Sequence, residues 1–199
     1  MKVIGLTGGS GSGKSLVAAA LLENGVNTLD TDAVYHRLIS ENTPCTEEIV
    51  GHFGEIVRAA GGGIDRAALR RIVMADGQRE TALPLLNSIT HKYVLEACRG
   101  WLTAQESGGA ALAVIDAPQL FESGFDRECD TVIAVIAPKE MRVERILLRD
   151  GITQKEAEQR ILAQKEDEFF RTHADFVILN DQDKEKVRKE VVQILSALL

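Results

Sequence analysis

A glycine-rich stretch near the N-terminus has the residue types and spacing of a phosphate-binding loop. Residues 8–15 read GGSGSGKS and fit the pattern GxxxxGK[ST]. Closely spaced glycines let the backbone curl until several N–H groups point at the same phosphate oxygens. In such a loop Lys14 reaches the β- and γ-phosphates, and the Ser15 hydroxyl binds Mg²⁺. The stretch therefore predicts a site for a nucleoside triphosphate and magnesium, against the alternative of a flexible glycine–serine turn.

Three carboxylates that follow apolar runs are the next candidates for chemistry. Asp30 and Asp32 come after residues 26–29, and Asp116 follows the run at 110–115. Ligands of doubly wound sheets bind at the carboxyl ends of the strands, so carboxylates placed there face the ligand. Asp116 thus has the position of a Walker B carboxylate, which binds Mg²⁺ directly or through water.

The pair Asp30 and Asp32 has two interpretations. Either carboxylate can take a proton from an acceptor hydroxyl or hold Mg²⁺ through water. Either can also cap a helix that starts at Ala33, because an aspartate side chain accepts hydrogen bonds from the first N–H groups of a helix. One residue can cap while the other acts, so the pattern leaves the assignment open.

Three arginines are spaced for one face of a single helix. Arg142, Arg145 and Arg149 are three and four residues apart within a helix predicted over 139–149. Guanidinium groups on one face can clamp phosphates and stabilise the charge of a transition state. The alternative is a solvated face, paired with glutamates of the same helix. In a protein with a phosphate-binding loop we favour the clamp.

The elements that position these residues follow from apolar runs. Five runs read as strands: 2–7, 26–29, 110–115, 131–137 and 176–179. The stronger runs are continuous rather than alternating, as expected when helices cover both faces of a parallel sheet. Helical stretches separate the strands, which predicts an α/β fold with a five-stranded parallel sheet flanked by helices.

Start and stop signals locate several helices. One begins near Lys14 and ends before Gly25, and Pro138 fits the first turn of the helix over 139–149. Residues 153–156 read TQKE, a capping box that predicts a helix running towards Glu168. Asp181 or Asp183 caps the last helix. Residues 31–108 read as mostly helical, with 61–63 as the one obvious break. We expect this stretch to be a helical insertion on the α/β core, placed where it can bind an acceptor.

Composition limits the function. The 199 residues predict one compact core. A net charge of −7 argues against a general nucleic-acid partner. The first apolar run is too short for the h-region of a signal peptide and no run of about 18 apolar residues occurs, so we expect a soluble cytoplasmic protein with no membrane partner. The three cysteines are widely spaced and the four histidines lack metal-ligand spacing, so ordinary reduced thiols are expected.

Seven blocks together resemble the dephospho-coenzyme A kinase family, in order and over nearly the whole chain. The blocks are LTGGSGSGKS (6–15), LDTDAV (29–34), GIDRAALRRIVMAD (63–76), IDAPQLFESG (115–124), RILLRDG (145–151), RILAQ (160–164) and ADFVILND (174–181). Many families share the first block, whereas the combination of the later blocks is much more specific.

The resemblance implies a fold, a reaction and a division of the chain. The reaction is transfer of the ATP γ-phosphoryl group to the ribose 3′-hydroxyl of dephospho-CoA by a P-loop kinase. One domain is expected, with its core at about 1–30, 109–138 and 166–199, an acceptor-binding helical region at about 31–108 and a lid at about 139–165.

The resemblance also implies site residues. Asp32 is the general base, and Lys14 and Arg145 contact the transferred phosphate. ATP-binding residues are Gly9, Ser10, Gly11, Ser12, Gly13, Lys14, Ser15, Leu16, Arg142 and Arg145. Acceptor-binding residues are Asp32, His91, Pro118, Leu120 and Glu122, and Mg²⁺ ligands, direct or through water, are Ser15 and Asp116.

Four positions depart from the family pattern. Ser10 stands where isoleucine is frequent, and residues 90–92 (THK) replace a usual His-Pro. Gln119 replaces a leucine, and Met141 stands where glutamine is common. None of these changes removes a phosphate ligand; they bear on acceptor contacts.

Two other classes of P-loop protein are the alternatives. Shikimate kinases carry a GGG motif, and residues 61–63 match it, but no apolar strand leads into them and only Arg58 lies near the place where arginines would bind a carboxylate substrate. A nucleotide kinase is a further possibility within the same class. A regulatory GTPase requires the NKxD signature, and residues 180–183 (NDQD) lack its lysine.

Overall fold

The computed structural model describes residues 1–181 and 183–199. Two compact units are present. The first comprises Met1–Leu29 and Leu102–Leu199, and the second comprises Asp30–Trp101. In this described part, no helix has both the length and the apolar character needed to cross a membrane.

The strands form one five-stranded sheet in the order β2-β3-β1-β4-β5. They are β1 (Lys2–Gly8), β2 (Asn27–Asp30), β3 (Leu112–Asp116), β4 (Thr131–Ile136) and β5 (Phe176–Leu179). The pairings of β1 with β3, β1 with β4 and β4 with β5 are all parallel. Every residue of β3 and β4 is buried, which accounts for their continuous apolar sequence. The predicted α/β class with a parallel sheet is confirmed.

The helices are, in chain order, α1 (Lys14–Glu23), α2 (Thr31–Ser40), α3 (Pro44–Phe53), α4 (Arg66–Val73), α5 (Arg79–Ser107), α6 (Leu120–Ser123), α7 (Lys139–Asp150), α8 (Gln154–Leu162), α9 (Asp167–His173) and α10 (Lys184–Leu198). Of the two caps proposed for the last helix, Asp183 is the one observed, since its side chain accepts hydrogen bonds from Glu185 N and Lys186 N. Thr153 and Glu156 form the predicted capping box of α8.

The core of the first unit lies on the two faces of the sheet. Val17 and Leu21 of α1 pack with Val187 and Val191 of α10 in one cluster with β1, β3 and β4. A second cluster joins Phe170 of α9 to β4. These two clusters support the end of the sheet at which β1 and β3 terminate.

The prediction of one helix from 154 towards Glu168 is wrong. Helix α8 ends at Leu162, and α9 begins only at Asp167. In the break the Gln164 side chain binds the backbone N–H of Ser10, 154 positions earlier in the chain. Local helical periodicity cannot predict a contact between residues so far apart in the sequence.

The second unit is helical, as the sequence predicts for this stretch. Its core gathers residues from α2, α3, α4 and α5, with Ile39, Ile49, Leu69 and Ile89 among its buried members. Residues 61–63 are not the one break that was predicted. A second lies between α2 and α3, where Thr43 caps α3 by accepting a hydrogen bond from Thr46 N, and a third lies between α4 and α5.

Candidate active site

The glycine-rich loop connects β1 to α1. Strand β1 ends at Gly8 and α1 begins at Lys14, so the loop lies at the carboxyl end of a buried strand and at the N-terminus of a helix. The Ser12 N–H donates to the Gly9 carbonyl at 3.0 Å, which closes the turn. The positive end of the helix dipole and the free N–H groups of the first turn favour an anion at this place.

Lys14 and Asp116 meet beside the loop. Strands β1 and β3 are neighbours, with Leu6 in register with Asp116, the last residue of β3. The Asp116 carboxylate accepts a hydrogen bond from Lys14 Nζ, and the two side chains are only 9% and 17% exposed. The register of β1 and β3 thus positions the predicted Walker B carboxylate, and the glycine-rich loop brings the predicted cation to it from the start of α1.

The three arginines of α7 lie on one face and contact the loop. Arg142 Nε donates to the Ser10 carbonyl at 3.0 Å. Arg145 Nη1 donates to the Gly11 and Ser12 carbonyls at 3.1 and 3.2 Å. Arg149 Nη2 lies 3.3 Å from Ser10 Oγ. The alternative of a solvated face paired with glutamates of the same helix does not describe this geometry.

The opposite face of α7 holds it to α8. Ile146 is fully buried in a cluster with Ala157 and Ile161. Asp150 joins the two helices, since its carboxylate accepts hydrogen bonds from Arg149 and Arg160. Those guanidiniums, Arg149 first, lower the pKa of Asp150 to about 2.

Gly11 is required by both its backbone and its surroundings. Its φ of +78° lies in the left-handed region that side chains with a Cβ disfavour. A Cβ added there would come within 2.6 Å of the Arg142 carbonyl oxygen. The glycine therefore permits α7 to approach the loop as closely as it does.

Two polar side chains at the loop were not predicted. Gln164 Oε1 accepts hydrogen bonds from Ser10 N at 2.9 Å and from Arg142 Nη2 at 2.8 Å. Asn180, which is 4% exposed and follows β5, donates from Nδ2 to the Ser12 carbonyl at 2.8 Å. Both lie in sequence blocks that resemble the kinase family. Membership of those blocks is the one sequence feature that could have indicated a role for them.

Arg142 is a buried cation. It is 5% exposed, and burial lowers the pKa of its guanidinium, while the Asp167 carboxylate 3.6 Å away opposes this. The Ser10 carbonyl and the side-chain Oε1 of Gln164 accept hydrogen bonds from the guanidinium, which offset part of the cost of burying the charge.

An open groove of about 560 Å³ lies beside the loop. It is lined by Gly13, Ser15, Leu16, Met141, Glu144, Arg145, Leu148, Asn180 and Lys184. Its volume is within the usual range for a small-molecule site. Exposed Leu148 offers apolar surface next to the phosphate-binding groups.

The residues predicted to bind the acceptor are spread over both units. In the first unit, Pro118 and Glu122 follow β3 in the segment that enters and forms α6. Leu120 is completely buried, and a Cβ added at Gly5 would lie 2.7 Å from its Cδ2. Leu120 thus holds α6 against β1 and offers a ligand no exposed surface in this conformation.

The second unit carries Asp32 and His91. Asp30 caps α2, because its Oδ1 accepts hydrogen bonds from Asp32 N at 2.8 Å and from Ala33 N at 3.4 Å. Asp32 lies in the first turn, exposed, and its carboxylate makes no hydrogen bond or ion pair with any described residue. His91 is partly buried on α5.

A family model and curated relatives identify one family. A family model described as dephospho-CoA kinase matches residues 2–186. The dephospho-CoA kinase of Moorella thermoacetica is 40% identical over 192 residues, covering 96% of this chain and 89% of the relative. The crystal structure of TT1252 from Thermus thermophilus is 34% identical, with a TM-score of 0.83 and coverage of 100% of this chain and 98% of that one.

A more distant solved structure shares the fold. Dephospho-CoA kinase from Campylobacter jejuni is 23% identical, with a TM-score of 0.63 and coverage of 99% and 97% of the two chains. Together with the loop, the Lys14–Asp116 pair and the arginine face of α7, the full-length match establishes that this chain belongs to the dephospho-CoA kinase family.

Proposed function

We propose that this protein transfers the γ-phosphoryl group of ATP to the ribose 3′-hydroxyl of dephospho-CoA, the final step of coenzyme A biosynthesis. The observation that carries the proposal is a glycine-rich loop beside which Lys14, Asp116 and Arg145 are gathered, in a chain of this family. Phosphoryl transfer has a loose transition state, so its catalysis is mostly positioning and charge stabilisation. The site offers cationic side chains for charge stabilisation and a hydrogen-bonded loop for positioning.

Each group at the loop has a role in that reaction. The N-terminus of α1 and those backbone N–H groups of the loop that have no partner within the protein bind the phosphates. Lys14 and Arg145 place positive charge on the transferred group, and Arg142 supports the loop through Ser10. The groove between the loop, α7 and the start of α10 receives the nucleoside of ATP.

The donor set fits Mg²⁺. Asp116 offers a carboxylate at a strand end and Ser15 an exposed hydroxyl at the start of α1, both hard oxygen ligands. In residues 1–181 and 183–199 no group of three or more His, Cys, Asp or Glu side chains could hold a metal. That suits an ion held by one or two protein oxygens together with phosphates and water. When bound, Mg²⁺ neutralises charge on the β- and γ-phosphates.

Asp32 is proposed as the general base. The resemblance to the family places the base at this position, and the Asp30 carboxylate is engaged in capping α2. The Asp32 carboxylate has no partner among the described residues, so it is available to a hydroxyl. Its work is to orient the 3′-hydroxyl and to take its proton late in the transfer.

The shikimate alternative finds less support in the second unit. Arg58, the arginine nearest to the place where a carboxylate substrate would bind, is engaged by Glu47 and Glu55 at 2.8 Å each. Residues 61–63 lie in a turn closed by the pairing of Arg58 with Ile64, not after a strand of the sheet. Neither feature therefore offers an unpaired cation or a strand-end loop that could bind a small carboxylate.

The test is product analysis by mass spectrometry. The protein is incubated with MgATP and, separately, dephospho-CoA, shikimate or nucleoside monophosphates, and then with MgGTP in place of MgATP. Phosphorylated dephospho-CoA with ATP as the preferred donor is the expected result. Phosphorylation of shikimate or of a monophosphate alone would replace this proposal with the corresponding alternative. GTP hydrolysis without an acceptor would favour the regulatory switch.

A further inference from the structure

The second unit contains a groove that the site described above does not use. It has a volume of about 440 Å³ and lies among α2, α4 and α5. Apolar side chains form most of its surface: Leu69, Val73, Met74, Leu83 and Leu86. Tyr35 of α2 completes the wall. A volume of this size is typical of sites for small molecules.

The charge of this groove is entirely positive. Arg66 and Arg70 line it, and they are four residues apart on α4, so their side chains project from one face. No carboxylate lines it, although the chain carries a net charge of −7. Across the described part of the chain, neither guanidinium forms an ion pair or a side-chain hydrogen bond. By contrast, Arg58 in the same unit is tied to two glutamates.

We propose that this groove binds the diphosphate and the pantetheine arm of the acceptor. Arg66 and Arg70 contact the phosphate oxygens, since a guanidinium fork matches a phosphate and two adjacent forks match a diphosphate. The apolar residues contact the methyl and methylene groups of the arm. The inference rests on the proposed function, because it assigns one part of the same acceptor.

The position of the groove along α2 supports this occupant. Asp32, the proposed base, and Tyr35 are three residues apart and share a face of α2. The reacting 3′-hydroxyl and the 5′-diphosphate belong to the same ribose of dephospho-CoA. The base and the groove lie one helical turn apart on α2. This spacing suits the 3′-hydroxyl and the 5′-diphosphate of one nucleotide.

The test measures steady-state kinetics at saturating MgATP for Arg66→Gln and Arg70→Gln. The control is Arg71→Gln, because Arg71 is an exposed arginine on α4 that does not line the groove. Loss of one charge-assisted contact predicts a rise of about 10–100-fold in KM for dephospho-CoA. The KM for ATP, and the KM for adenosine as a truncated acceptor, should match the control.

A second measurement uses 4′-phosphopantetheine, which has the phosphate and the arm but no nucleoside. It should inhibit competitively against dephospho-CoA and bind the wild type in calorimetry at least 10-fold more tightly than Arg70→Gln. Absence of binding, or equal KM values in Arg66→Gln, Arg70→Gln and Arg71→Gln, would overturn the groove assignment. If the wild type itself formed no phosphorylated dephospho-CoA, the proposed function would fall instead.

Discussion

Two aspartates separated by a single residue have different surroundings. The Asp30 carboxylate is held by two N–H groups at the start of α2, whereas that of Asp32 has no partner among the described residues. We therefore expect Asp32→Asn to lower kcat by about 10²–10⁴-fold, the usual worth of a general base. Its melting temperature and ATP affinity should stay those of the wild type, because the substitution is nearly isosteric and the side chain is exposed.

Substitutions at Asp30 provide the comparison. Asparagine caps as well as aspartate, so Asp30→Asn should keep both stability and turnover. Asp30→Ala loses the cap and should cost about 1 kcal/mol of unfolding free energy. If Asp32→Asn turned over normally while Asp30→Asn were folded and inactive, the roles of the two residues would have to be exchanged.

We expect Lys14 to contribute both to phosphoryl transfer and to stability. Lys14→Ala removes a positive charge from the phosphate site and should lower kcat by roughly 10²–10³-fold. It also removes the ion pair between Lys14 and the Asp116 carboxylate, which is 9% exposed, and loss of one partner of a buried pair costs up to about 3–5 kcal/mol. Turnover is measured by product formation and stability by thermal unfolding.

A double variant separates the two effects. Adding Asp116→Asn to Lys14→Ala removes the negative charge that Lys14 balances, so part of the lost melting temperature should return while turnover stays low. Near-normal turnover in a folded Lys14→Ala variant would be incompatible with the phosphate role of the loop.

At the level of elements, we expect α7 to move as part of the proposed lid. Its arginines contact the loop at Ser10, Gly11 and Ser12, so it lies over the place that nucleotide phosphates enter. We expect MgATP with dephospho-CoA to slow hydrogen exchange of amides in residues 139–165, because a helix that clamps phosphate closes on its ligands.

Strand β4 serves as the internal reference for that experiment. All of its residues are buried in the sheet, so we expect its exchange not to respond to the ligands. Unchanged exchange over 139–165 with both ligands bound would contradict the proposal that this segment is a lid.

The sequence predicted those elements that carry their own signals. The arginine spacing located the loop-facing side of α7, the capping box located the start of α8, and the apolar run at 176–179 matches β5. Strand β2 was placed one residue early, because its sequence NTLD is short and polar at both ends. Its extent depends on pairing within the sheet rather than on its own composition.

The residues of the candidate site also fall into those that the sequence predicted and those that it did not. Lys14, Asp116 and Arg145 stand in motifs whose spacing is local, and the structure brings them to one loop. Gln164 and Asn180 are single polar residues whose partners, Ser10 and Ser12, lie more than 150 positions away. Nothing in their immediate sequence could indicate those contacts.

For the molecule as a whole, ligand binding and stability are linked. MgATP at 100 times its Kd should raise the unfolding free energy by about 2.7 kcal/mol. In a chain of this size, that corresponds to about 5–11 °C in melting temperature. ATP with EDTA should give a smaller shift, because Ser15 and Asp116 would hold Mg²⁺, which would neutralise charge on the phosphates.

Two controls define the result of this thermal experiment. Lys14→Ala should show little of the shift, since it lacks the phosphate cation. GTP should stabilise less than ATP. An equal shift with GTP, or an ATP shift that EDTA leaves unchanged, would contradict the proposed nucleotide preference or the proposed metal, respectively.

The strand order has a consequence for how the chain folds during synthesis. Strand β1 leaves the ribosome first, but its sheet partners β3 and β4 begin at Leu112 and Thr131. At about 5–20 residues per second, the nascent β1 waits roughly 5–20 s for its first partner. The second unit, Asp30–Trp101, emerges completely in that interval and has its own core. It can therefore fold on the ribosome while the phosphate-binding loop is still attached to an unpaired strand.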